Sequence, residues 1–202
     1  MVLALCSIAA LDACKGAAPA PPPAPAVDTM AINRARQDSI NAENQRAASA
    51  AAEARRRAAQ DSIDRANAAA EAMRRDSDML RATVTTVINF EFDKSDLRDD
   101  AKAALDAKIP IMMANSNVTI RIAGHADERG SSEYNLALGQ RRAAAAKRYL
   151  VERGVADSRI ETTSFGEEKG VCTESNESCW AQNRRDEFEI TAGGPMLTRP
   201  RS

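Results

Sequence analysis

The residues most able to do chemistry crowd into one stretch, Gly124-His125-Ala126-Asp127-Glu128-Arg129-Gly130, where an expected strand feeds an expected helix. A strand-to-helix loop bounded by glycines lets backbone groups approach a ligand closely. The helix that follows carries Arg142, and its row Asn135, Leu138, Arg142 at i+3/i+4 spacing can run back alongside the loop. A carboxylate and a guanidinium so placed suit a zwitterion. Asp127 would accept from an ammonium, and Arg142 would grip a carboxylate through its bidentate fork. A second arrangement satisfies the same residues: Asp127 and Arg142 simply pair with each other.

Other groups that look reactive lack partners. His125 is the only histidine, and Asp127 and Glu128 beside it on an extended loop diverge, so no metal is expected. Its expected task is to orient the loop through hydrogen bonds. Ser131 and Ser132 have no base for nucleophilic catalysis, and the adjacent carboxylates of Glu167 and Glu168 point apart. Neither a phosphate loop nor a dinucleotide fingerprint occurs, so no cofactor is expected. Charges are interspersed around a net −1, which gives no clustered basic surface for nucleic acid.

The elements that must position these residues follow from pattern. The β-branched run from Thr83 predicts a strand at 84–92, and Asp93-Lys94-Ser95-Asp96-Leu97 a turn into a helix near 97–115, capped by Ser95 or Asp96 and kinked or split at Pro110. A strand at 117–124, a helix at 132–153 closing on Gly154, and strands at 159–165 and 185–192 complete the order β-α-β-α-β-β. That order predicts an α/β (α+β) two-layer sandwich, with helices on one face of a mixed sheet. Trp180 is expected to anchor the last strand in the core.

The chain of 202 residues is not uniform. All seven aromatics, from Phe90 to Phe188, lie in the second half, so one core there is expected and little burial before it. Residues 28–83 hold 17 Ala, ten Arg and nine Asp or Glu, with no Lys and no aromatic. Alanine and arginine favour helix, and Glu53–Arg57, Asp61–Arg65 and Glu71–Arg75 place acid before base at i,i+4. Large apolar residues do not sustain a heptad, so a single solvated helical spacer is expected, about 75 Å over about 50 residues. Residues 14–27 include a Pro/Ala-rich stretch that reads as an extended tether, and 193–202 as a tail.

The first thirteen residues read as an export signal: an apolar run too short to span a bilayer, ending in Leu11-Asp12-Ala13-Cys14. That ending resembles a bacterial lipobox, which implies lipidation at Cys14; Lys15 after it resembles lipoproteins of the outer membrane. No Lys or Arg precedes the apolar run, so an upstream start is expected. Outside the cytoplasm, Cys172 and Cys179 around the polar TESNE segment are good disulfide partners.

The segments FEFDKSDL, GHADERGSSEYNLALGQRRAAAAKRYL, RIETTSFGEEK and WAQNRR resemble the OmpA-like peptidoglycan-binding domain family over about residues 84–192. The resemblance implies that Asp127 and Arg142 hold the amine and carboxylate of a diaminopimelate residue in the peptidoglycan stem peptide. Asp93 matches a further ligand-contacting acid, and Arg129, Asn135 and Leu138 match residues lining the same pocket. No catalysis is implied. With the lipobox and tether, the implied protein is an outer-membrane lipoprotein facing the periplasm and gripping the cell wall, with TolB and the other Tol proteins as partners. A related envelope lipoprotein, docking another complex through its long helix, is the alternative; a peptidoglycan-acting hydrolase would need the nucleophile-base pair that is missing.

Overall fold

A computed structural model describes residues 28–200. The expected signal, lipidated Cys14 and most of the tether lie outside the described residues. The chain divides into two compact units between Ala59 and Gln60.

Helix α1 is Thr29–Thr85. Asp28 begins it, its Oδ1 accepting from the backbone N–H of Met30 at 3.0 Å and Ala31 at 3.1 Å, which satisfies donors the first turn leaves free. In the first unit every described residue is exposed, and Glu53 pairs with Arg57 as the i,i+4 spacing predicts. In the second unit the helix becomes buried only at its end, where Ser77 and Val84 pack inward.

That end corrects the expected strand at 84–92. The helix continues to Thr85, and β1 is only Ile88–Asn89. The hydroxyls of Thr83, Thr85 and Thr86 donate back to the carbonyls of Met79, Arg81 and Ala82 at 3.1, 3.0 and 2.8 Å, which lets β-branched residues extend the helix. The fully buried Lys108 then caps it, its ammonium donating to the carbonyls of Thr83 and Thr86 at 2.9 and 2.7 Å. The C-terminal segment docks on the same stretch: Leu197 is buried and its N–H donates to Ser77 Oγ at 2.8 Å.

Helix α2 is Asp99–Ala114. Its start is not capped by Ser95 or Asp96; Arg98 takes the cap position without a side-chain bond, and Asp99 and Asp100 in the first turn complement the helix dipole. Pro110 sits within the helix without dividing it, because Leu105 before it and Ile111 and Met112 after it are held in the core. Strand β2 is Thr119–His125, α3 Ser132–Glu152, β3 Ile160–Gly166 and β4 Arg185–Ala192. A short helix α4, Glu177–Asn183, comes between β3 and β4 and was not expected.

The sheet order is β1-β4-β2-β3, with β2 and β3 parallel and β4 antiparallel to both its neighbours. Ile120, Ile122 and Phe188 turn to the helices and meet Leu105, Met112, Ala146 and Leu150 in one core, while Arg121 and Glu189 pair on the exposed face. This is the mixed α/β sandwich that the element order predicts. Of the seven aromatics only Phe90 and Phe188 are buried.

One contact fixes how α3 lies on the sheet. A Cβ on Gly124 of β2 would stand 1.9 Å from the carbonyl oxygen of Gly139 of α3. Only glycine permits that approach. It brings the next residues of α3 over the carboxyl end of β2.

Candidate functional site

A pocket of about 190 Å³ opens where β2 ends, lined by Asp93, Asp127, Arg129, Asn135, Leu138 and Arg142 together with Phe92 and Tyr134. All six residues marked by sequence therefore stand at one place. Ser131 caps α3, its Oγ accepting from the N–H of Tyr134 at 3.3 Å, which sets Tyr134 and Asn135 at the mouth. Asp93 holds φ +57°, a left-handed turn that aspartate tolerates better than most residues, and accepts the hydroxyl of Tyr134.

Arg142 is fully buried. Its Nε donates to the carbonyl of Lys94 at 2.8 Å, Nη1 to that of His125 at 2.7 Å and Nη2 to that of Glu91 at 3.0 Å. Among the described residues no carboxylate pairs with it within 4.0 Å. Desolvation pulls its guanidinium down to about 10, opposed by the fields of Asp186 and Asp127, so it remains charged at neutral pH.

Asp127, 4% exposed, is compensated instead by two other arginines. Its Oδ1 accepts Arg129 Nε at 3.1 Å and the Arg129 backbone N–H at 3.2 Å; Oδ2 accepts Arg129 Nη2 at 2.7 Å and Arg184 Nη1 at 3.1 Å. Burial raises its pKa, but the bonds from Arg129 and Arg184 outweigh burial and hold the carboxyl below its usual range. The internal pair of Asp127 with Arg142 does not form.

Arg129 is the more exposed of the two arginines that hold Asp127. Its guanidinium lies 3.9 Å from the Phe92 ring centroid and 4.1 Å from that of Trp180, and its side chain is 30% exposed. Trp180 is therefore not the core anchor expected of it. It is half-buried at the pocket rim, donating through Nε1 to Glu128 at 3.0 Å, while its neighbour Cys179 is the residue buried beneath.

His125 also departs from expectation. It is buried, neither ring nitrogen has a hydrogen-bond partner among the described residues, and the ring is tilted on Phe165 at 5.5 Å. Burial, helped by the charge of Arg185, pushes it down to about 4. The loop is instead held by backbone, the N–H of Ala126 donating to Gly166 at 2.8 Å and the carbonyl of His125 accepting from Arg142.

Cys172 and Cys179 are joined in a disulfide. The closed segment and α4 wall one side of the site, Ser175 Oγ donating to Glu128 at 2.6 Å and Glu177 accepting from Arg184 at 2.6 Å. Replacing both cysteines with serine is expected to destabilise the domain by about 2.5 kcal/mol by loop entropy. Chemical denaturation measures it, and an unchanged midpoint would contradict it. Sequence reasoning passed over Arg184, Tyr134 and Phe92. Arg184 stood inside the WAQNRR segment already singled out, but nothing in the linear pattern pointed it at Asp127.

The pocket lies at the carboxyl end of a central strand, roofed by a helix on a mixed sheet, a place where such folds commonly hold ligands. The chain belongs to the OmpA family, which its residues 89–184 match. The peptidoglycan-associated lipoprotein of Pseudomonas aeruginosa is 43% identical over 113 residues, 56% of this chain and 67% of that protein. That of Pseudomonas putida is 49% identical over 109 residues, 54% of this chain and 64% of that protein. The crystal structure of the peptidoglycan-associated lipoprotein from Burkholderia pseudomallei is similar with a TM-score of 0.51 at 41% identity, covering 52% of this chain and 89% of that one. The chain spans less than two thirds of the Pseudomonas putida and Rhizobium meliloti relatives, 64% and 56% of their lengths.

Proposed function

We propose that the pocket binds the diaminopimelate residue of a peptidoglycan stem peptide without covalent chemistry, and that the chain is an envelope lipoprotein anchoring the outer membrane to the cell wall. The observation that carries this reading is Arg142, a fully buried cation lining a pocket with no carboxylate paired to it. Three of its N–H groups are spent on carbonyls, leaving one on each terminal nitrogen for a ligand carboxylate. Asn135 adds a buried Nδ2 that lacks a hydrogen-bond partner among the described residues. Asp127 has its acceptor positions filled, so a ligand ammonium enters by exchange for Arg129, the exposed one of its two arginines. Arg184 stays behind as the fixed countercharge.

The ligand's two charges thus meet separate, partly desolvated partners, and removing either partner should weaken binding by about 2–5 kcal/mol. Asp93 and Leu138 shape the same pocket and complete the contact set. The domain binds and does not catalyse. The name peptidoglycan-associated lipoprotein, which relatives carry, supports an envelope lipoprotein associated with peptidoglycan. Lipidation at Cys14, outer-membrane placement facing the periplasm, and partnership with TolB and the other Tol proteins in envelope integrity and division belong to the proposal, and the lipobox-like ending and the family resemblance of the sequence support them. A second reading rests on α1, whose residues to Arg75 are all exposed: a related envelope lipoprotein using that helix to dock another complex.

Sedimentation with purified sacculi tests the proposal. Wild type should co-sediment and release no muropeptides, whereas Asp127→Ala and Arg142→Ala should stay in the supernatant. Retention of both variants at the wild-type level would refute the site.

A further inference from the structure

Asp186 is the residue that the proposed binding chemistry leaves unused. It lies on β4 opposite Gly124 of β2 and Ile88 of β1, in the centre of the sheet. Its side chain is fully buried, and neither carboxylate oxygen has a hydrogen-bond partner among the described residues. Phe188, two residues along and so on the same face, belongs to the core beneath the helices. Arg142 descends on this spot from α3: it bonds the carbonyl of His125, next to Gly124, and its guanidinium lies 5.1 Å from the Phe90 ring centroid.

We propose that Asp186 is the internal countercharge that tunes Arg142, so that the pocket's grip on a carboxylate is coupled to a proton on Asp186. It acts through Arg142 and does not touch the ligand, which makes it a positioning residue. The inference rests on the reading of Arg142 as a carboxylate holder. When Asp186 is ionised, its charge offsets Arg142 from behind and competes with an incoming carboxylate. When Asp186 is protonated, Arg142 presents its full charge to the pocket. Burial already drives the Asp186 carboxyl well above the ordinary carboxylate range, against the pull of Arg142. A ligand carboxylate brought up to Arg142 adds a second negative charge nearby and raises Asp186 further. The complex therefore takes up a proton, and affinity falls as pH rises through the titration of Asp186.

The surrounding groups respond differently. On α3 the facing group is Arg142, which stays charged. From β2 come His125, neutral above its value of about 4, and at the strand's end Asp127, ionised and held by Arg129 and Arg184. From α2 comes Lys108, 4.4 Å over the Phe188 ring, lowered by burial to about 8. On β4 itself Arg184 holds Asp127 and Arg185 holds Glu187, while β1 contributes Ile88 and Asn89, which do not titrate.

The test is calorimetric titration of the full chain with free meso-diaminopimelate from pH 5 to pH 9, for wild type, Asp186→Asn and Asp186→Ala. Taking the ratio to each variant cancels the ligand's own titration and that of the common groups. Wild-type affinity should fall by about fivefold or more relative to Asp186→Asn as pH rises, the two converging at the acid end. Asp186→Ala should follow Asp186→Asn. In wild type alone, titration in buffers of different ionisation enthalpy should show extra proton uptake on binding, a readout that needs no variant. Parallel pH profiles in wild type and both variants, or no uptake that Asp186 accounts for, would overturn the role of Asp186. Absence of binding in wild type at every pH would instead remove the reading of the pocket on which the inference rests.

Discussion

Replacing Arg142 with alanine is expected to weaken diaminopimelate binding by about 30-fold or more, and to lower the stability of the domain at the same time. The binding loss follows from removing the pocket's buried cation, an effect of about 2–5 kcal/mol for a desolvated charged partner. The stability loss has a separate origin. The carbonyls of Lys94, His125 and Glu91 all accept from this one side chain and would lose its bonds, that of Glu91 keeping the Lys94 N–H at 3.3 Å. Buried acceptors stranded in this way cost about 1–3 kcal/mol each at most, reduced where water reaches them. Arg142→Lys separates the two effects. A lysine keeps the positive charge but has no planar fork, so it should recover part of the stability and little of the binding. Denaturation and calorimetry on the same samples measure both. Wild-type affinity in either variant would place the ligand elsewhere.

The second large effect is expected from Gly124→Ala. The new methyl carbon would lie 1.9 Å from the carbonyl oxygen of Gly139, and both sides of that clash are backbone. Helix α3 would have to lift from β2, a rearrangement of about 3 kcal/mol or more. The lift carries Arg142 away from the loop carbonyls it clamps, so binding should fall with stability. Gly139→Ala is the informative comparison. Its methyl meets Ser164 Oγ at 2.3 Å and the carbonyl oxygen of Gly124 at 2.7 Å, and one of those neighbours is a side chain that can rotate. The Gly139 variant should be the milder of the two in urea denaturation. Two variants as stable as wild type would mean that α3 does not depend on this approach.

The stretch from Gly124 to Arg142 was legible because chemistry, glycine spacing and helical periodicity coincide there. A single strand-loop-helix unit fixes its own geometry, so local pattern could set the row Asn135, Leu138, Arg142 beside Asp127, while the family resemblance supplied the pocket roles of Asn135 and Leu138. The last strand was equally readable, found at Arg185–Ala192 where the sequence reading places it. What the sequence hid depends on long-range contact. The threonines near residue 85 look like strand by propensity, yet the buried Lys108 and Val84 hold them as the end of a helix. Helix α4 is seven residues long, too short to show a period, and is held by a disulfide and by Asn176, which accepts from the N–H of Cys179 at 3.0 Å. Trp180 looked like core because tryptophan usually buries its bulk; here its ring serves a guanidinium. The internal pair of Asp127 with Arg142, one of the two arrangements the sequence left open, does not form for a reason the linear pattern does not carry. Two arginines closer in space, one of them 57 residues away along the chain, outcompete the one that periodicity suggested.

One pocket is proposed to hold a zwitterion between Asp127 and Arg142. Titrating free meso-diaminopimelate into the isotope-labelled full chain and following its NMR spectrum tests this most directly. Saturable shifts are expected in the backbone amides from Asp127 to Arg142 and in the indole N–H of Trp180, as Arg129 leaves its place between Phe92 and Trp180. A spectrum unchanged at high ligand, or shifts confined to residues away from this loop and helix, would contradict it.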